Sequence, residues 1–230
     1  MTTAVILGVG GLGCPAALAL AEEAPRVRVI LVDPDRVERS NLSRQILFTE
    51  SDIGEPKAIV AARRLAALVP QVRAEPHVAA FRPGTAADLL TGCDIVLDGT
   101  DDFETRFAVN DAACAARIPL VHGAVLGWRG QILTVLPGHR SCLRCLFEGP
   151  PPAGAVPTCA EAGVLAPLCG AVGAAMAAEA ARVLSGAEAR WAGRLHQWDA
   201  FHATERDVRV PPRADCPACG VASQAALGHP

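Results

Sequence analysis

For its first half the chain alternates two kinds of apolar pattern. Short apolar runs, TAVILGV (3–9), VRVILVD (27–33), DIVLDGT (94–100) and PLVHGAV (119–125), with VRAEPHVA (72–79) weaker, read as strands. Between them lie helical stretches from Pro15 to Glu23, near 56–68 and around 104–116. This alternation predicts an α/β, Rossmann-like fold: a mostly parallel sheet with helices on both faces and ligands at the carboxyl ends of the strands. Asp33, Asp35, Asp98, Asp101 and Asp102 lie at or just past strand ends and are expected to face that crevice together.

After residue 122 the pattern changes. GQILTVLPG (130–138) predicts a strand in a more antiparallel region, and EGPPPAGAVPT (148–158) an irregular loop. An Ala-rich helix follows over about 167–184, then closing strands in WAGRLHQWDAF (191–201) and TERDVRV (204–210). No repeat or linker interrupts the chain, so one domain over 1–230 is expected, its second half extending the same sheet and 221–230 forming a loose tail.

Composition narrows the function classes. Hydrophobic content of 51% over 230 residues suffices for a core, and a net charge of −3 gives no basic footprint for nucleic acid or an anionic membrane. No apolar run reaches the ~18–20 residues of a membrane span, and no basic segment opens the chain, so a cytoplasmic location is expected. The nine cysteines are odd in number and include two C-x-x-C pairs, which points to metal or thiol chemistry before disulfides. Of the 21 Lys and Arg residues, Lys57 alone is lysine, suggesting either a compact ammonium beside phosphates or chance retention on a solvated helix.

GVGGLG (8–13) sits between strand and helix, so Gly8, Gly10, Gly11 and Gly13 are expected to bring backbone N–H groups and a helix N-terminus against a phosphate. Asp33, at the end of the next strand, is placed to accept from ribose hydroxyls. These features alone fit an NAD-linked oxidoreductase equally well. SNLSRQILF (40–48) then supplies Asn41, Arg44 and Gln45, and EPKA supplies Lys57, a set suited to a triphosphate; a solvated loop is the plain alternative. DGTDD (98–102) offers carboxylates for Mg2+, or a helix N-cap at Asp101 or Asp102.

Cys142, Cys145, Cys216 and Cys219 form two knuckles expected to hold a structural Zn2+ and to pin the C-terminal region to the middle of the chain. Cys159 precedes the long helix, where a helix N-terminus would lower its pKa; it reads either as a reactive thiol or as a small buried side chain, and the latter is the reading of Cys14, Cys93, Cys114 and Cys169. No His–carboxylate or Ser–His arrangement stands out as a general base.

Taken in order, GVGGLG, LVDPDRVERSNLSRQ, EPK, VLDGTDD, CLRC, TCAEAGVLAPLCG and CPACG resemble the ThiF/MoeB/HesA family, over about residues 8–220. The resemblance implies ATP-dependent adenylation of the C-terminal Gly-Gly carboxylate of a small ubiquitin-fold sulfur-carrier protein, releasing pyrophosphate, in thiamine or molybdopterin biosynthesis or related sulfur transfer. It implies a nucleotide half (1–122) and a carrier and zinc half (123–220), with the carrier tail under the 149–158 loop, and a homodimer.

By resemblance, Gly10, Gly11 and Gly13 line the nucleotide turn and Asp33 holds the ribose. Asn41, Arg44, Gln45 and Lys57 contact phosphates, Asp101 serves Mg2+ or the triphosphate with Asp102 beside it, and Cys159 matches a cysteine that can join the carrier through sulfur. Relatives usually carry an N-terminal helical segment whose arginine reaches the other subunit's ATP, whereas seven residues precede Gly8 here. That difference leaves three expectations open: a start placed too late, slower catalysis, or a catalytically reduced member that binds a ubiquitin-like partner.

Overall fold

The pleat of the strands sorts the chain's apolar residues onto two faces, and helices cover both. The computed structural model describes residues 1–220 except Pro25, His139, Arg140 and Ala153; the expected tail, 221–230, lies outside the described residues. Strands β1 (Thr3–Leu7), β2 (Arg28–Val32), β3 (Arg73–His77), β4 (Ile95–Asp98) and β5 (Leu120–Leu126) run parallel. Antiparallel β6 (Arg129–Val135), β7 (Arg194–Asp199) and β8 (Thr204–Arg209) extend them into one eight-stranded sheet of order β3-β2-β1-β4-β5-β6-β7-β8. The expected parallel-then-antiparallel sheet is therefore observed.

One set of alternate strand residues, including Ile6, Leu31 and Leu97, packs under α1 (Gly13–Glu23), α2 (Lys57–Leu68) and α7 (Ala166–Leu184). The other, including Leu7, Val32 and Val96, packs under α3 (Pro83–Leu90), α4 (Phe103–Ala116) and the cysteine knuckle. Two single-turn helices, α5 (Leu143–Leu146) and α6 (Cys159–Ala162), and two 3-10 turns, Arg39–Asn41 and Glu50–Asp52, complete the described elements. Helix α3 was not expected from the sequence. It has eight residues, too few for a clear period, and is started by Pro83 and by the Thr85 hydroxyl accepting the Arg82 N–H at 3.0 Å.

The expectation that nothing in the chain is long and apolar enough to span a membrane needs correction. By length and composition alone, the 19-residue α7 is, because its mean hydropathy stays high although Glu179 and Arg182 interrupt the apolar run. It packs against α1, β5 and β6 and buries Leu168, Val172, Met176 and Ala180, so it is a helix of this core.

β1 lies between β2 and β4, so strand order runs outward in opposite directions on its two sides and a crevice opens at its carboxyl end. Two glycine contacts shape that end. A Cβ on Gly13 would overlap the Gly8 carbonyl oxygen, so the turn closes only around glycine. Behind it, a Cβ on Gly173 of α7 would stand 2.5 Å from the Leu12 carbonyl oxygen and 2.6 Å from Pro15 Cγ.

Gly173→Ala therefore sets helix propensity, a gain of about 1 kcal/mol, against overpacking at a backbone carbonyl, a cost of about 1–3 kcal/mol. Packing is expected to win, with a net loss of stability in denaturant titration; a more stable variant would contradict the close α1–α7 approach.

Candidate functional site

The crevice at the β1 carboxyl end is a cleft of about 380 Å³ whose walls include Gly8, Gly10, Gly11, Asp33, Arg44, Gln45, Lys57, Asp101, Asp102 and Cys159. Ten of the sequence-derived candidates thus meet in one place. Gly13 and Asn41 do not line it: Gly13 closes the turn from within, and Asn41 Oδ1 accepts from Arg44 Nη2 at 2.7 Å. Asn41 therefore bears on the cleft through Arg44.

The glycine wall is built for backbone approach. α1 begins without a side-chain cap, directly behind Gly10, Gly11 and Leu12, whose backbone lines the cleft. The Arg44 stem passes over Gly11, 3.4 Å from where a Cβ would stand. Asp33 is buried at the end of β2; its two oxygens accept the Val9 N–H at 2.7 Å and the Asp35 N–H at 2.8 Å. Burial raises its pKa, opposed by the Lys57 charge and those two N–H groups.

Lys57 opens α2 and is 6% exposed, with Nζ 2.9 Å from Asp35 Oδ2. Gln45 is 3% exposed, and its Oε1 has no hydrogen-bond partner among the described residues. A buried acceptor left open beside a glycine turn is costly unless a ligand donor meets it.

The far wall is the β4–α4 loop, and here the expected row of aspartates divides. Asp102 caps α4 through the Thr105 N–H at 2.8 Å, while Asp101 is exposed to the cleft. Asp98 does not face the cleft at all. It is fully buried, with Oδ2 2.8 Å from His122 Nδ1 and Oδ1 accepting the Thr100 hydroxyl at 2.7 Å. Burial pushes its carboxyl up, but the His122 bond and charge and the Thr100 hydroxyl outweigh that and hold it below the ordinary value.

The buried Asp98–His122 pair is thus a His–carboxylate arrangement that sequence reasoning did not find, and it lies outside the cleft lining. His196 and Asp207 make a second such pair at 2.6 Å, between β7 and β8 and likewise outside the lining.

Cys159 lines the cleft, but the expected pKa depression is reversed. Burial raises its thiol above the ordinary 9.0, more than the nearby Arg106 and Arg44 charges lower it. The helix it opens has four residues, which leaves little dipole to oppose desolvation. Cleft residues that sequence reasoning missed are Phe81, Arg82, Thr100, Arg106 and Cys169. The β3 carboxyl end could have flagged Phe81 and Arg82; Arg106 had no signal to separate it from the other arginines.

On the α4 face, the sulfurs of Cys142, Cys145, Cys216 and Cys219 lie within 4.8 Å of one another, with Cys142–Cys216 at 3.7 Å and Cys145–Cys219 at 3.5 Å. These separations far exceed a disulfide bond of ~2.05 Å and match the edges of a tetrahedron of sulfurs ~2.3 Å from one ion. The cluster could hold a metal. Asn110 of α4 donates to Cys142 Sγ at 3.7 Å and accepts the Leu143 N–H at 2.9 Å, and Asp111 takes Arg144 through two 2.7 Å bonds. The knuckle is thus docked onto the helix that begins at the cleft.

The sequence model of the ThiF family matches residues 1–218. A sulfur carrier protein adenylyltransferase of Thermus thermophilus is 47% identical over 221 residues, covering 94% of this chain and 81% of the relative. The SAMP-activating enzyme E1 of Haloferax volcanii is 41% identical, covering 94% and 79%. The adenylyltransferase and sulfurtransferase MOCS3 of Bos taurus is also 41% identical over 94% of this chain, which spans 48% of that protein's length. Among solved structures, E. coli MccB superposes with a TM-score of 0.84 at 21% identity, covering 95% of this chain and 65% of MccB, a likeness of fold.

Replacing Cys142 by Ser removes one corner of the sulfur tetrahedron and leaves three thiols, two of them buried. The purified protein is expected to carry about one equivalent of a thiophilic divalent ion, and Cys142→Ser to lose it with a clear drop in melting temperature. Elemental analysis and thermal melting check this; a metal-free protein with unchanged melting would contradict it.

Proposed function

The chain belongs to the ThiF family, and from that premise we propose that it is a nucleotidyltransferase that adenylates the C-terminal Gly-Gly carboxylate of a ubiquitin-fold sulfur-carrier protein, using ATP and releasing pyrophosphate. The observation that carries this reading is the placement of Arg44 across Gly11 and of the single lysine, Lys57, on the same cleft. Two cations at a helix N-terminus exceed what a dinucleotide pyrophosphate needs and suit a leaving pyrophosphate. The open Gln45 acceptor further supports a ligand on this wall. An NAD-linked oxidoreductase is not favoured, since the similar curated proteins are adenylyltransferases and activating enzymes.

The chemistry needs no general base. A terminal carboxylate, with pKa ~3.3–3.7, is already ionised at pH 7. Its oxygen attacks the α-phosphorus, forming the acyl–phosphate bond as the bond to the β-phosphate oxygen breaks, and pyrophosphate leaves with the electron pair. Sealing the Asp98–His122 pair away from the cleft costs such a reaction nothing.

In this reading the Gly8, Gly10 and Gly11 backbone and the start of α1 face the phosphates, Asp33 the ribose, and Arg44, Gln45 and Lys57 the charge that develops on the leaving group. Asn41 acts by orienting Arg44, and Gly13 by closing the turn. Asp101, with Asp102 beside it, would hold Mg2+, which neutralises the phosphate oxygens when bound. The four-cysteine cluster would hold Zn2+ as a structural ion.

The same reading assigns residues 1–122 to the nucleotide and 123–220 to the carrier and zinc. The carrier tail would pass the 149–158 loop toward Cys159, in a homodimeric, cytoplasmic protein serving thiamine, molybdopterin or related sulfur transfer.

Exchange of labelled pyrophosphate into ATP, with Mg2+ and a carrier ending in Gly-Gly, tests the reading. The wild type is expected to exchange only when the carrier is present, and Lys57→Ala and Asp101→Ala to lower the rate on the order of 10²–10³-fold without unfolding. Undiminished exchange in either variant would remove its assignment, and no carrier-dependent exchange in the wild type would remove the reading.

A further inference from the structure

Arg106 is the buried guanidinium of the cleft whose fork is open; Arg82, which also lines the cleft, is exposed. Arg106 sits in the first turn of α4, 8% exposed, and lines the cleft beside Thr100, Asp101 and Cys159. Of its five N–H donors, Nε–H meets the Thr100 carbonyl at 3.0 Å, and Nη1 and Nη2 have no partner among the described residues. The Phe103 ring lies 5.3 Å from its guanidinium carbon and steadies the group without using those donors.

The two cations of the glycine wall are already engaged. Lys57 is paired with Asp35, and Arg44 donates to Asn41 and to the Ser40 carbonyl. Nor do the nearby anions take up Arg106: Asp98 senses its charge, but both Asp98 oxygens are held by His122 and Thr100, and no carboxylate forms an ion pair with Arg106 among the described residues. A largely buried guanidinium with its fork open to the cleft is a ready seat for an anion. Its planar fork matches the two oxygens of a carboxylate.

We propose that Arg106 receives the attacking carboxylate of the acyl substrate and sets it for in-line displacement. This rests on the adenylation reading above. The nucleotide phosphates are the other anion available to the same fork, but Arg44 and Lys57 already stand on the glycine wall, whereas Arg106 stands across the cleft on the β4–α4 wall. Cys159 shares that side, where Arg106 is the first of the charges that favour its thiolate. A carboxylate held there is thus beside the thiol that the adenylated chain end would meet next.

The test uses the full chain with a Gly-Gly carrier bearing either its free carboxylate or a C-terminal carboxamide, bound in the presence of a nonhydrolysable ATP analogue. The wild type is expected to prefer the carboxylate by about 10-fold or more, and Arg106→Gln to bind both forms equally. In pyrophosphate exchange Arg106→Gln should lose about 100-fold with a raised KM for carrier, Arg106→Lys should recover part of the loss, and ATP affinity and melting should stay near wild type.

An Arg106→Gln variant that keeps the carboxylate preference overturns the proposal, and so does one whose ATP affinity falls in step with its activity, because the fork would then serve phosphate. If Arg106→Gln fails to fold, the preference is read on Arg106→Lys, where full retention of both preference and KM overturns it. Absence of any exchange in the wild type would instead sink the adenylation reading on which it rests.

Discussion

The close backbone approach at the end of β1 governs the rest of the structure. Gly8 follows the strand with φ of +80°, donates its N–H to Val32 at 2.9 Å, and packs against Gly99 and Thr100 of the β4–α4 loop. Gly13 then comes close enough to the Gly8 carbonyl that no side chain fits between them. This one turn joins β1 to both neighbouring strands and aims the start of α1 into the cleft. It also lets α7 lie directly behind that helix start through Gly173. Widening it would separate the glycine wall from the β4–α4 wall, and the two could no longer face one small ligand.

The two walls carry different electrostatics. The glycine wall gathers Arg44, Lys57, the helix start and the unpartnered Gln45 acceptor, with Asp33 held by backbone N–H groups and Asp35 by Lys57. The opposite wall offers an exposed aspartate, Asp101, an open guanidinium, Arg106, and a thiol, Cys159. One side suits a nucleotide and its leaving group, the other the acyl partner. The four-cysteine knuckle braces the second side through Asn110 and Asp111 of α4. The cluster is thereby docked on the helix whose first turn carries Arg106, with Asn110 one turn further along.

Much of this was legible in the sequence because strong periodicity and glycine punctuation are local signals. The five parallel strands, the antiparallel extension and the long α7 all fall close to where pattern put them. What escaped depended on register and burial. Asp98 looked like its neighbours Asp101 and Asp102, yet it is the register partner of His122 on β5, and that pairing turns it into the sheet. The shift in Cys159 was misjudged for a related reason: a helix start is visible in sequence, whereas the desolvation that outweighs it is not. Arg106 was hidden among twenty arginines, and its burial on the cleft with an open fork distinguishes it.

The central claim is that this cleft joins an ATP α-phosphate to a protein's terminal carboxylate. Intact-mass analysis of a Gly-Gly carrier after a brief incubation with the enzyme, ATP and Mg2+, with pyrophosphate removed as it forms, reads that bond directly. The account predicts a carrier heavier by one adenylyl group, with AMP and not ADP as the nucleotide product once the adduct hydrolyses. An unmodified carrier accompanied by ADP and phosphate would mean that the bond broken is the β–γ one, and would contradict it.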